Sequence, residues 1–256
     1  MNKMDWYVTG DKHGDFRELL NSSIKPEDSI IVLGDSGLNY YLSGRDNKLK
    51  KQLNDVGCQW YMVRGNHESR PSRVFGMVNI YDEVVDGWIW YEPEFPNIHY
   101  FKDYGIYKIN GMKTAVIGGA YSVDKYYRLE RGWQWFADEE LSDEEMAACE
   151  KMMTGQHFDL VLTHTCPLSY EPKDLFLNFI DQSKVSKRME EFLDKLKNKF
   201  NWDLWLFGHY HADRIEAPYV EQFYHDTESI DKIIERWVRY DNTGELDWWL
   251  QTSPNF

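Results

Sequence analysis

The sequence predicts an α/β fold, a sheet with helices on its faces, and two observations carry that prediction. Short apolar runs alternate with helical stretches along the chain, the pattern of strands interleaved with helices. Five of those runs stop at a polar turn, and in α/β sheets functional groups gather at the carboxyl ends of strands. With 256 residues, 42% apolar and 16% aromatic, the chain can bury the core of one large domain, and disorder is excluded on composition.

The elements follow in order. Trp6 to Thr9 reads as a strand running into Gly10-Asp11-Lys12-His13-Gly14, then a helix from Asp15 to Leu20. Ser29 to Leu33 is an apolar strand stopping at Gly34-Asp35, and Asp46 to Val56 is helical. Gln59 to Val63 is a third strand, stopping at Gly65-Asn66-His67. Residues 69–100, aromatic and interrupted by Pro71, Pro93 and Pro96, read as an irregular excursion over the surface. Tyr104 to Ile109 and Lys113 to Ile117 flank Asn110-Gly111 as a β-hairpin, since Asn-Gly suits a tight primed turn. Asp138 to Met153 is an amphipathic helix in which Ser142 and Glu145 form a capping box. Asp159 to Thr163 is a strand ending at His164, Ser183 to Phe200 a basic helix with a solvated face, and Asp203 to Phe207 a strand ending at Gly208-His209. Trp237 to Asp241 and Glu245 to Leu250, around Asn242-Thr243-Gly244, read as a C-terminal hairpin at 237–250. No repeat or linker divides the chain, so 1–256 is taken as one domain.

The formal charge of −14 repels polyanions, which argues against long nucleic acid as a partner. A small phosphate ester remains open, because bound dications reverse the local sign. Three cysteines without a CxxC pair suit a reduced, cytoplasmic protein. Neither a signal-peptide h-region nor a run of ~20 apolar residues is seen, so no membrane association is expected.

The turns after the five strands contain five of the eight histidines, and only His99, His157 and His225 lie elsewhere. If the strands are neighbours, one sheet edge carries Asp11, His13, Asp35, Asn66, His67, His164, His209 and His211. Such O and N donors suit Mn, Fe or Zn. Each residue alone has an ordinary reading as a turn, cap or buried histidine. Their common placement at strand ends favours a site.

The order Asp-x-His, Gly-Asp, Gly-Asn-His-Glu, His, Gly-His-x-His, over roughly residues 5–225, resembles the calcineurin-like metallophosphoesterases. The resemblance implies a four-layer α/β/β/α sandwich. It implies one metal on Asp11, His13, Asp35 and His211, and a second on Asp35, Asn66, His164 and His209, with Asp35 bridging. It implies that His67 is catalytic beside the phosphate. The cofactors implied are two divalent ions, with Mn2+ placed first and Fe or Zn as alternatives. Two dications ~3.5–4 Å apart bind phosphoryl oxygens and turn a bridging water into hydroxide near neutral pH. His67 then protonates the leaving group as general acid, or stabilises the equatorial oxygens, giving a phosphatase or phosphodiesterase. Arg64, close to the third turn, is a candidate bidentate phosphate contact, and Glu68 either orients His67 or caps the turn.

Protein Ser/Thr phosphatases of this superfamily follow Gly-Asp with Val-Asp-Arg-Gly; here the continuation is Ser36-Gly37-Leu38-Asn39. The Asp that would pair with the catalytic histidine and the adjacent Arg are both missing. This favours a bacterial or phage-type branch acting on small, nucleotide-like mono- or diesters over a phosphoprotein phosphatase. Behind Gly118-Gly119, the segment with Asp124, Lys125, Arg128, Arg131, Trp133 and Trp135 sets basic groups against aromatics. A looser resemblance to bacterial relatives also points there. Lys125 and Arg128 are the candidate substrate contacts.

Two other readings compete. Gly34-Asp35-Ser36-Gly37 resembles the first block of serine esterases named for a Gly-Asp-Ser sequence, with Ser36 as nucleophile. No histidine has an Asp three residues before it to complete that triad. A non-catalytic metal-binding scaffold of the same fold should have lost ligands or the equivalent of His67, yet every such position is filled.

Overall fold

The computed structural model describes residues 5–22 and 24–246. The first half runs β1 (Trp6–Thr9), α1 (Arg17–Leu20), β2 (Ser29–Val32), α2 (Gly44–Asn54), β3 (Gln59–Met62), β4 (Val78–Asp82), β5 (Gly87–Tyr91), β6 (Ile98–Phe101), β7 (Tyr104–Ile109) and β8 (Met112–Ile117). The second runs α3 (Lys125–Glu130), α4 (Asp143–Met153), β9 (His157–Thr163), α5 (Arg188–Leu196), β10 (Asn201–Phe207), β11 (Arg214–Ala217), β12 (Val220–Gln222), β13 (Thr227–Ser229) and α6 (Ile230–Thr243).

The strands form a seven-stranded sheet, β13-β1-β2-β3-β6-β5-β4, and a six-stranded sheet, β11-β12-β10-β9-β8-β7. Each has a parallel centre, β1-β2-β3-β6 in the first and β12-β10-β9-β8 in the second, with antiparallel strands at its margins. Parallel centres are buried on both faces, which is why these strands read as continuous apolar runs.

Side-chain alternation sorts each run into two layers. Ile31 and Leu33 join Leu160, Leu162, Leu204 and Leu206 in a core between the sheets. Ile30 and Val32 point the other way, into a core closed by Leu53 of α2 and Phe16. Val161, Trp205 and Phe207 likewise face Met146, Cys149, Met189 and Leu193 of α4 and α5. Three apolar layers between four structural layers make an α/β/β/α sandwich, in agreement with the sequence.

The structure corrects two readings. Residues 69–100 are no surface excursion: β4, β5 and β6 extend the first sheet, with Ile89 and Phe101 fully buried between the sheets. The prolines fall in the one-turn helix Pro71–Arg73 and in the connection before β6, where no ladder N–H is required. Nor do residues 237–241 form a strand. They lie in α6, capped by Ser229 at its start and by Gly244 (φ 72°) at its end. Its Ile230, Ile233 and Trp237 are buried against the inter-sheet core. Of the second proposed strand, 247–250 lie outside the described residues.

Helix boundaries also shift. The Ser142–Glu145 capping box is present, but it starts α4 at Asp143. The basic stretch from Ser183 makes one 3-10 turn over Gln182–Lys184 and becomes α-helical only at Arg188. Among the described residues no helix is long and apolar enough to cross a membrane. Cys58, Cys149 and Cys166 are free and buried.

Candidate metal centre

The ends of β1, β2 and β3 in one sheet and of β9 and β10 in the other meet along the seam between them. Four of the eight described non-glycine residues with positive φ lie there: His13, Asp35, His209 and His211. Asp and His tolerate this left-handed region better than most residues, and such strain concentrates at functional sites. Two glycines show how tightly the turns interlock. A Cβ on Gly65 would stand 2.0 Å from Asp35 Oδ1, and one on Gly34, itself at φ 94°, 2.0 Å from His164 Nδ1.

Each floor residue is held by one atom and offers another. The Asp35 carboxylate accepts the His67 N–H through Oδ1 at 2.8 Å. Its Oδ2 lies 3.7 Å from His164 Nε2 and 4.0 Å from His13 Nε2. Asp11 Oδ2 accepts the His209 N–H at 2.7 Å, while Asp11 Oδ1 is buried without a hydrogen-bond partner, 3.9 Å from both His164 Nε2 and His211 Nε2. His164 donates from Nδ1 to the Leu33 carbonyl at 2.8 Å, so its Nε2 presents a lone pair. That lone pair faces Asn66 Oδ1 at 2.8 Å, and the Asn66 amide is oriented by donation from Nδ2 to Ser122 Oγ at 2.9 Å.

Two acceptors at 2.8 Å repel unless a cation lies against both. Together with the orphaned Asp11 oxygen, this is the pattern a metal site leaves in a protein, and the donors fit a borderline dication. His13 and His211 add Nε2 atoms 3.0 Å apart at the solvent side. Ligating atoms converge in three overlapping groups, Asp11–His13–His211, Asp11–Asp35–His164 and His13–Asp35–His67. Asp35 is common to the last two and sits centrally. The His209 ring packs edge-on against His164, centroids 4.9 Å apart.

The electrostatics agree with a cation-binding role. Burial and the neighbouring Asp35 push Asp11 well above the usual carboxylate range. Burial opposes ionisation of Asp35 too, but His67, His164 and His13 hold it below its ordinary value. Two buried carboxylates thus share one pocket and settle at opposite ends of the scale, as like charges must without a counter-ion. Burial lowers His164 and His209, and takes His211 down to about 4, keeping the imidazoles in the neutral form that binds metal.

A second tier holds the turns. Glu68 accepts from Gly65 N–H at 2.9 Å and from the Ser36 hydroxyl at 2.6 Å, tying the second and third turns together. Burial and Asp35 push Glu68 up to about 7. Ser36, the nucleophile of the esterase reading, is fully buried and committed to this link. Ser122 is held by Glu139 through both its N–H and its hydroxyl.

Arg64 does not line the site. It is 2% exposed, pairs with Asp103 through Nε, and donates Nη1 to the carbonyls of Glu139 at 2.7 Å and Gly65 at 3.3 Å. Gly119 closes over its other terminal nitrogen, so that a Cβ added there would stand 2.7 Å from Nη2. Nη2 is buried without a hydrogen-bond partner; with Nε and Nη1 committed, Arg64 stands as a brace and has no two free nitrogens for a bidentate phosphate contact. Lys125 also turns aside, its Nζ 3.9 Å over the Trp135 ring.

Asp124 is the residue that sequence reasoning missed as a partner of His67. Its Oδ1 lies 3.6 Å from His67 Nε2 and 3.8 Å from Arg128 Nη1. A carboxylate thus stands beside His67 from a distant segment, which no local motif could show. Arg128 is 1% exposed, neither Nη has a hydrogen-bond partner, and its guanidinium stands 5.4 Å from the Tyr40 ring centroid. Burial, and then Arg128, lower the His67 imidazole, against the raising effect of Asp35 and Asp124.

Fold and site together define a metal-dependent hydrolase cradle. The chain matches the calcineurin-like phosphoesterase family over residues 4–213 and belongs to that family. Its general chemistry is therefore metal-dependent phosphoester hydrolysis. No curated protein sequence matches it significantly. Among solved structures it is similar to a protein of unknown function from Aquifex aeolicus, with 13% identity over 91% of this chain and 99% of that one, at a TM-score of 0.43.

Proposed function

We propose that this protein hydrolyses a small, nucleotide-like phosphate mono- or diester with two divalent ions, Mn2+ foremost, held by Asp11, His13, Asp35, Asn66, His164, His209 and His211. The observation that carries this reading is the His164 Nε2–Asn66 Oδ1 confrontation at 2.8 Å beside the unpartnered Asp11 Oδ1. When bound, the ions supply Lewis-acid polarisation of phosphoryl oxygens and a nucleophile from water at neutral pH.

The chain's own residues supply the rest. His67, about a quarter exposed at the rim, donates its proton to the departing ester oxygen. Asp124, its Oδ1 3.6 Å from His67 Nε2, offsets the lowering by burial and Arg128. The Arg128 guanidinium, without a hydrogen bond at either Nη, offers charge to a phosphoryl oxygen after a small side-chain movement. Lys125, drawn onto Trp135, serves only a substrate that displaces it. Three buried thiols suit a reducing, cytoplasmic setting, and the acidic surface suits a small ligand over a long nucleic acid.

The test is a screen of the purified, Mn-loaded chain against mononucleotides, cyclic nucleotides, dinucleoside polyphosphates and a phosphopeptide, with metal content measured in parallel. Turnover that disappears with chelation supports the reading. A fully metal-loaded chain that releases no phosphate or alcohol from any of them overturns it.

A further inference from the structure

Two separate cavities open onto the metal cradle, and among the described residues none lines both. The larger, about 860 Å³, begins at His13 and His67 and is walled by Tyr40, Tyr41 and Trp133 with the cations Arg45 and Lys48. The smaller, about 270 Å³, begins at His209 and His211 and is walled by Leu175, Phe176, Ile180 and Val185. His13 and His211 are the adjoining lips, their Nε2 atoms 3.0 Å apart.

The two cavities differ in chemistry. The first sets aromatic faces beside cations, with the Arg45 guanidinium 3.9 Å from the Tyr41 ring centroid, and so suits a planar, anionic group. The second is mainly apolar, with Gln182, Ser186, Lys187 and Glu190 completing its lining, and the Lys187 ammonium is already paired with Glu171 at 2.7 Å. Glu190, 3% exposed, accepts from Thr165 through Oε1, while Oε2 is buried without a partner. A buried, unsatisfied acceptor costs stability unless a ligand or water satisfies it.

A monoester has one organic arm and would leave one cavity without an occupant. We infer that the substrate is a phosphodiester with two unlike arms, a polar aromatic arm in the His13–His67 cleft and an apolar arm with a hydrogen-bond donor in the His209–His211 pocket against Glu190. This inference rests on the phosphoesterase reading above. The arm beside His67 is the one that leaves. Water adds its oxygen to phosphorus, the P–O bond to the cleft arm breaks, and that oxygen takes the proton of His67. The proton surrendered by water restores His67. The products are one alcohol and one phosphomonoester, still seated in the apolar pocket.

The test compares bis(p-nitrophenyl) phosphate with p-nitrophenyl phosphate on the Mn-loaded full chain, since both expel the same leaving group. The diester should show a kcat/KM at least about 10-fold higher, from burial of its second ring. Val185→Trp, which fills the apolar pocket, should lower the diester-to-monoester ratio by about the same factor. Because the ratio is internally normalised, partial misfolding does not mimic this. Calorimetry on the same protein should show diphenyl phosphate binding about 10-fold tighter than phenyl phosphate. If the monoester is turned over as well as the diester and diphenyl phosphate binds no tighter, the two-arm inference is overturned and the phosphoesterase reading stands. If neither ester is cleaved but diphenyl phosphate binds tighter in a Val185-dependent way, the pocket assignment stands and the hydrolytic reading falls.

Discussion

The floor of the site and its walls are built on different principles. In the floor, three buried candidate ligands are each tied by one atom to a neighbouring turn: Asp35 to His67 N–H, Asp11 to His209 N–H, His164 to the Leu33 carbonyl. The glycines leave no room for movement there. Around the walls, the charged and aromatic groups beyond the floor are held by fewer hydrogen bonds. Arg128 lacks hydrogen bonds at both terminal nitrogens, Lys125 rests on a ring, and Tyr41 is 40% exposed. On the proposed function, the floor would fix what reaction is possible and the walls would choose the substrate. Changes in the floor should cost activity against every ester, and changes in the walls should cost unequally.

The largest effect belongs to Asp35→Asn. Its Oδ2 lies between His13 and His164, so the change weakens both halves of the cradle. Activity should fall to background for all esters, and bound metal measured by elemental analysis should drop. An Asp35→Asn protein that keeps full metal content and turnover would break the claim that the floor acts as a unit.

His67→Ala should leave the metals in place and lower turnover by ~10²–10⁴-fold. The loss should shrink for p-nitrophenolate, which leaves without a proton. Asp124→Asn should give a smaller loss that vanishes when His67 is already alanine, as a double-mutant cycle requires of a positioning residue. Additive losses would instead place Asp124 on the substrate directly.

How far the sequence anticipates this architecture also divides along the floor and the walls. The convergence of the floor residues was legible because they lie within a few residues of strand ends, so local spacing carries the geometry. The four layers were implied by the same turns. The walls were not, because they arise from contacts between distant segments. Asp124 meets His67 across 57 positions, and Arg64 is drawn to Asp103 in the β6–β7 connection and to Glu139 in the turn before α4. The misread elements have local causes. Asn242-Thr243-Gly244 fits a hairpin turn, yet Gly in the left-handed region equally ends a helix, and Ile230, Ile233, Ile234 and Trp237 show the helical spacing that decides between them. In 69–100 the prolines drew attention away from the short runs Val78–Asp82 and Gly87–Tyr91, which pair antiparallel at the sheet edge.

Arg64 offers a test on stability in place of rate. It is a buried cation serving Asp103 and two carbonyls, and breaking such a pair typically costs ~3–5 kcal/mol. Arg64→Ala should lower the denaturation midpoint sharply. If the protein stays equally stable and only KM rises, Arg64 reaches the phosphate after all and belongs with the walls.

Arg128 is the smallest effect and the sharpest discriminator. It is as buried as Arg64, 1% against 2% exposed, so burial alone does not separate them. What differs is satisfaction: Arg64 donates Nη1 to two carbonyls, whereas neither Nη of Arg128 finds a hydrogen-bond partner and Asp124 stands 3.8 Å away. Removing a charge that has few partners costs the fold little, while a hydrogen bond from it to an anionic ligand contributes ~1.5–3 kcal/mol. Arg128→Ala should accordingly raise KM for the best ester about 10–100-fold, leave bound metal unchanged, and shift the denaturation midpoint far less than Arg64→Ala. Arg128→Lys should recover only part of the loss, because a point charge cannot reproduce a planar two-pronged contact. Should Arg128→Ala instead destabilise the chain as much as Arg64→Ala with KM unmoved, its guanidinium is structural and the contrast between floor and walls fails at its most exposed point.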